Sequence, residues 1–175
     1  NESWIQDDKI PQDVKNYAAM VTMVDNNLGQ VVDLLAELKL SKDTIVFFTG
    51  DNGGQDRFRS PEHPRGFFSP NKNPASGVEF RGGKGSLYEG GLRIPFLVQW
   101  PGKIQPGQVS DLMFAQYDIL ATLAELTGAE VPSDTDGISI LPTLLHAENR
   151  PTEQELHPHF YWEFGNMQAV RIGQW

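Results

Sequence analysis

No cysteine occurs among the 175 residues. That excludes a disulfide frame, a thiolate metal site and a cysteine nucleophile within the chain, while leaving its compartment open. Positive charge is scarce. The 14 Lys and Arg against 23 Asp and Glu leave a net charge of -9, and nucleic-acid binders usually carry a basic surface. The charge therefore argues against phosphate-backbone binding as the main activity, although a small basic pocket stays compatible with an acidic protein. Long hydrophobic runs are missing as well: no segment approaches the roughly 20 apolar residues of a membrane span. No signal peptide, internal repeat or low-complexity tract is visible.

What is present is an ordinary globular composition, 39% apolar with a mean hydropathy of -0.39, in a chain long enough for one real core. It opens abruptly at Asn1-Glu2-Ser3-Trp4 and stops inside a strand-like run, Arg171 to Trp175. We therefore expect a piece of a longer protein.

The stretch Thr44-Ile-Val-Phe-Phe-Thr-Gly-Asp51-Asn52-Gly53-Gly54 has the β-branched and aromatic density of a buried strand. It delivers a carboxylate and a carboxamide at the carboxyl end, the edge where ligands bind in open α/β sheets. Such oxygens suit a hard cation, Ca²⁺ or Mg²⁺. An Asp-Asn-Gly turn that merely closes the strand fits the same residues.

Before this strand, apolar residues from Val14 through Tyr17, Val21, Val24, Leu28 and Val31 to Leu38 recur every three or four positions, predicting one long helix from Pro11. Gly29 inside it predicts close packing at that point. A helix feeding a strand is half of an α/β crossover. Residues 55–80 then hold four prolines without a period and read as a long loop, either functional or disordered. A second buried strand is expected at Pro95–Trp100, an exposed turn at 103–110, and a helix at Tyr117–Leu126 with Gly128 past its end. Asp136–Leu145 reads as a turn and a short helix, 148–158 as polar linker. Phe160–Phe164 and Ala169–Ile172 flank Gly165-Asn166 as a β-hairpin.

Between the strands, Arg81-Gly-Gly-Lys84-Gly-Ser-Leu-Tyr-Glu-Gly-Gly-Leu-Arg93 packs five glycines into residues 82–91, so the backbone turns tightly or approaches something closely. A phosphate loop needs a glycine five positions before the Gly-Lys pair and Ser or Thr directly after it. Val78 and Gly85 stand there instead, and no strand-turn-helix unit supports a dinucleotide fingerprint. Lys84 remains, either as an anion clamp for charge developing on an oxyanion or as a solvated surface lysine.

The segments Thr49-Gly-Asp-Asn-Gly53 and Arg81 to Pro95, followed by Trp100-Pro-Gly102, Asp118 to Leu123, Asp136-Gly-Ile-Ser139, Tyr161-Trp-Glu163 and Ala169-Val-Arg171, closely resemble the formylglycine-dependent sulfatases of the alkaline phosphatase superfamily. The resemblance implies an α/β fold, part of an alkaline-phosphatase-like sandwich with a mixed sheet flanked by helices. Residues 1–150 would be the C-terminal part of the catalytic domain, and 151–175 the start of a small antiparallel subdomain. It implies that Asp51 and Asn52 are two ligands of a Ca²⁺ ion and that Lys84 contacts the sulfate group of a sulfated small molecule or carbohydrate. Glu89, Gly90, Gly91 and Arg93 would shape the segment rather than react. It also implies an extracytoplasmic setting.

The departures matter equally. The family nucleophile arises from a Cys/Ser-x-Pro-x-Arg motif, which neither Ser60-Pro61 nor Ser69-Pro70 matches. The formylglycine, two aspartate ligands, a lysine and two histidines would all precede Asn1, so the chain alone is expected to be inactive. His63, His146, His157 and His159 match no family position and read as loop or surface residues. Phe67, Phe68 and Trp162 are candidates to stack on a sugar. A phosphate or phosphonate ester hydrolase of the same superfamily, or a non-catalytic binding module, are the competing readings.

Overall fold

The computed structural model describes residues 6–55, 58–64, 66–67, 72–73, 76–145 and 153–173; Phe68, Ser69, Pro70 and His146 lie outside them. The chain divides into two compact units, Asn1–Val98 with Glu163–Gln168, and Gln99–Trp162 with Ala169–Trp175.

In the first unit, α1 (Gln12–Glu37) follows the apolar stripe. Pro11 stands just before it in an extended conformation, φ -56° and ψ 144°, where its missing N–H costs nothing. Lys39 ends the helix at φ 59°, and its N–H and that of Leu40 donate to the carbonyls of Ala36 and Leu35. This is the back-bonding that glycine usually supplies. Only Val14 of the stripe is buried, and Val21, Val31 and Leu38 are more than half exposed. One expectation fails here, at Gly29. A Cβ on Gly29 would meet nothing within 4 Å, so that glycine answers no packing demand among the described residues.

A single 3-10 turn, Ser41–Asp43, leads into β1 (Val46–Thr49). It pairs with β2 (Phe96–Gln99), and Phe47 and Phe96 meet at 5.9 Å between ring centres. Both strands were expected to be buried. Instead β1 is half-buried throughout, and β2 alternates half-buried and exposed residues, the period-2 signature of a sheet covered on one face. The glycine block contains α2 (Glu89–Leu92), a single turn in place of an irregular loop.

The second unit is built on α3 (Asp118–Thr127) and α4 (Leu141–Leu144). Gly128 closes α3 at φ 70°, a left-handed position that favours glycine. Ala121, Ala124, Ile140, Leu141, Leu144 and Phe160 form its core. Asp118, with no exposed surface, ties the unit together. Its Oδ2 accepts from Ala115 N at 2.7 Å, and its Oδ1 from Ile138 N and His157 Nε2 at 2.8 Å. Thr122 Oγ1 donates to the Asp118 carbonyl and accepts from Ile140 N. His157 is therefore no surface residue: its side chain is 7% exposed, lying between the rings of Tyr117 and Phe160. The expected linker is equally tied where it is described, since Gln154 accepts from Thr143 and donates to Ser139 O. The strands β3 (Phe160–Phe164) and β4 (Met167–Arg171), of which Glu163–Gln168 is assigned to the first unit, pair across Gly165-Asn166, a two-residue connection that only antiparallel strands permit.

Candidate functional site

Asp51, Asn52, Gly53 and Gly54 leave the end of β1, and Lys84 lies 33 residues further on; all five line one cleft of about 560 Å³ in the first unit. Backbone bonds bring them together. Gly53 N donates to Gly91 O at 2.8 Å, and Lys84 N donates to Gly54 O at 2.7 Å. The glycine block thus grips the Asp-Asn loop on both sides of its second glycine. The fit requires glycine, because a Cβ on Gly53 would overlap the Gly90 carbonyl. Gly90 and Gly91 face the same demand: their Cβ atoms would run into the carbonyls of Gly82 and Ser86.

The rest of the block braces this arrangement. Glu89, which opens α2, pairs with Arg93 just past its end. The Arg93 guanidinium also lies over the Phe80 ring at 4.8 Å, and that of Arg81 over Tyr88 at 3.9 Å. Such contacts hold cationic side chains against aromatic faces.

The cleft-lining polar groups are left available by this scaffold. Asp51 Oδ1 accepts from the N–H of Asn52 at 3.0 Å, while the Asn52 carboxamide and the Lys84 ammonium have no side-chain partner among the described residues. A carboxylate and a carboxamide oxygen side by side fit part of a Ca²⁺ sphere, which takes six to eight oxygens. They do not complete one: among the described residues no group of three His, Cys, Asp or Glu side chains is arranged to hold a metal ion.

Sequence reasoning missed the helical part of the lining. Asp13, Asn16, Tyr17 and Met20 of α1 line the same cleft, as does Phe58 from the long loop. Their spacing puts the four helical residues on one face of α1. That pattern was visible, but Tyr17 was assigned to the apolar stripe, whereas it is 42% exposed. Neither of the described aromatic residues picked from the sequence, Phe67 and Trp162, is among those lining this cleft. Phe67 stacks near His63 at 4.8 Å, and Trp162 lies on Phe160 in the second unit. His63 and His159 are exposed, as expected.

Comparison with known proteins gives a consistent assignment. Residues 2–129 match the family model described as Sulfatase. The chain is 36% identical over 161 residues to N-acetylgalactosamine-6-sulfatase of Sus scrofa, covering 91% of this chain and 28% of that protein. It is 37% identical over 157 residues to steryl-sulfatase of Mus musculus, covering 89% and 24%. The solved structure of the PsFucS1 sulfatase from Pseudoalteromonas sp. superposes with a TM-score of 0.65 at 32% identity, over 86% of this chain and 28% of that one. This chain thus spans less than a third of the length of these relatives, and its α/β fold is of the alkaline-phosphatase-like kind that they share. With the match covering most of its length, and with Asp51, Asn52 and Lys84 gathered at one strand end, the chain belongs to the sulfatase family.

Proposed function

We propose that this chain supplies part of the active site of an enzyme that hydrolyses sulfate esters of carbohydrates or aryl alcohols. The observation that carries the reading is the convergence of Asp51, Asn52 and Lys84 on one cleft, held there by backbone bonds that leave their side chains available. Asp51 and Asn52 are two ligands of a Ca²⁺ ion whose remaining ligands come from outside these 175 residues. When bound, that cation supplies positive charge against the sulfuryl oxygens.

Lys84 binds the same group. Its ammonium donates to a sulfuryl oxygen and gains strength as the ester S–O bond lengthens and negative charge grows, so its contribution falls on the transition state. The glycine frame holds the Lys84 backbone beside the Asp51-Asn52 loop before substrate arrives, which lowers the ordering cost of the reaction. No residue of the chain stands in a Cys/Ser-x-Pro-x-Arg context, so the formylglycine nucleophile belongs to another part of the complete enzyme. The chain by itself turns over no sulfate ester. Family membership favours an extracytoplasmic setting; no helix among the described residues is long and apolar enough to cross a membrane.

The test uses the full-length sulfatase that carries this chain, assayed on an aryl sulfate and on sulfated sugars. Asp51→Ala is expected to abolish turnover and weaken Ca²⁺ binding measured by calorimetry. Lys84→Ala is expected to lower kcat by roughly a hundredfold, the usual loss of one oxyanion donor. Wild-type kinetics in either variant, or faster cleavage of phosphate than of sulfate esters by the unaltered enzyme, would overturn the reading.

A further inference from the structure

The cleft that holds Asp51, Asn52 and Lys84 has other lining residues, against which the group that carries the sulfate can lie. Tyr17 and Phe58 are the aromatic residues among them. Their rings meet at 5.8 Å between centres and 59° between planes, within the range of a tilted aromatic pair. Phe58 adopts φ 60°, rare for a bulky non-glycine residue and typical of positions the surrounding structure holds for a purpose. Its carbonyl accepts from Phe67 N at 3.2 Å, which fastens the loop at that point.

Next to the aromatic pair the wall turns polar. Asp13 and Asn16 lie one turn before Met20 and Tyr17 on the same face of α1. Asn16 Oδ1 already accepts from Gln12 Nε2 at 2.9 Å, which leaves its amide hydrogens to donate. Asp13 offers a carboxylate acceptor. An apolar platform with a donor and an acceptor on its border suits a ring with one C–H face and a hydroxyl edge. A wide apolar ring system such as a sterol would instead cover Asp13 and Asn16 without bonding them, at a desolvation cost.

We propose that Tyr17 and Phe58 are the platform on which the pyranose ring of a carbohydrate sulfate packs, with Asp13 and Asn16 hydrogen-bonding its hydroxyls, and that this wall selects sugar sulfates over steryl sulfates. The inference rests on the sulfatase reading above and adds the residues that choose the substrate. It assigns Tyr17 to binding of the sugar rather than to the reacting sulfate.

The experiment uses the full-length sulfatase that carries this chain. Steady-state kinetics on a panel of sulfated monosaccharides are compared for the wild type, Tyr17→Ala and Tyr17→Phe, together with competitive inhibition by inorganic sulfate. Loss of one stacking face is expected to raise KM for the preferred sugar sulfate about three- to tenfold in Tyr17→Ala. kcat should fall much less, Tyr17→Phe should restore KM, and the inhibition constant for inorganic sulfate should not move. An unchanged KM in Tyr17→Ala, with the wild type active, overturns the platform alone. So does a parallel rise in the sulfate inhibition constant, which would mean that the variant had disturbed the whole cleft. A wild type that prefers steryl sulfate overturns the choice of substrate class. A wild type that cleaves no sulfate ester overturns the sulfatase reading itself, and this inference with it.

Discussion

The N–H of Gly53 donates to the carbonyl of Gly91 at 2.8 Å, and no atom larger than hydrogen fits on the Gly53 Cα, because the Gly90 carbonyl lies against it. The two backbones can close only without side chains. Gly53→Ala must therefore push the glycine block away from the Asp51-Asn52 loop. We expect it to destabilise the first unit by about 1–3 kcal/mol, the common cost of overpacking. Thermal denaturation of the 175-residue chain measures this, and a midpoint equal to wild type would disprove the contact.

Gly29 provides the opposite case. It sits inside α1, and nothing within 4 Å would oppose a Cβ. Gly29→Ala in the same chain is expected to raise stability by about 0.5–1 kcal/mol, through lower backbone entropy in the unfolded state. Chemical denaturation would read the gain. A loss instead would reveal a neighbour on that face.

Asp118 accepts three hydrogen bonds without contact with water. Asp118→Ala leaves Ala115 N, Ile138 N and His157 without their acceptor. At about 1–3 kcal/mol for each unsatisfied buried group, a total of at least about 3 kcal/mol is expected in urea denaturation. Asp118→Asn keeps one acceptor oxygen and should fall between wild type and alanine. Equal stability of all three proteins would refute the role of the carboxylate.

The Tyr117 hydroxyl carries a pH signature. Burial first, then the charges of Asp118 and Asp136, hold its pKa above the ordinary value of 10.0. The folded state thus keeps the phenol proton more tightly than the unfolded chain does. The resulting stability is fully present below about pH 10 and is lost as pH rises through the higher folded value. Melting temperatures measured from pH 8 to 11 should decline at the alkaline end for wild type, and less steeply for Tyr117→Phe. Parallel curves would remove Tyr117 as the cause.

Much of this was legible in the residues because the signals are local. The stripe of α1, the Gly128 stop of α3 and the Gly165-Asn166 hairpin each depend on neighbours a few positions away, and each forms close to where its pattern lies. Asp51, Asn52 and Lys84 were singled out from strand-end chemistry and from family resemblance, and the fold lines one cleft with all three. What escaped notice depends on distant partners. The spacing of Tyr17 is the same whether it meets a core or a cleft. His157 has no local motif, since its partner Asp118 is 39 positions away. The close backbone approach expected of Gly90 and Gly91 is there, but its partners, the carbonyls of Gly82 and Ser86 and the Gly53 loop, and the helical turn that makes it have no local signature.

That last feature separates two kinds of change. Where the glycine block meets the Asp51-Asn52 loop, the frame of the cleft consists of main-chain atoms, which substitution cannot remove, and of glycines, which tolerate almost none. The Asn52 and Lys84 side chains add no hydrogen bond to that frame among the described residues. Replacing Asp51, Asn52 or Lys84 should therefore alter chemistry without collapsing architecture. A scaffold of this kind lets the reactive end of the cleft and its choice of substrate drift independently, one side chain at a time.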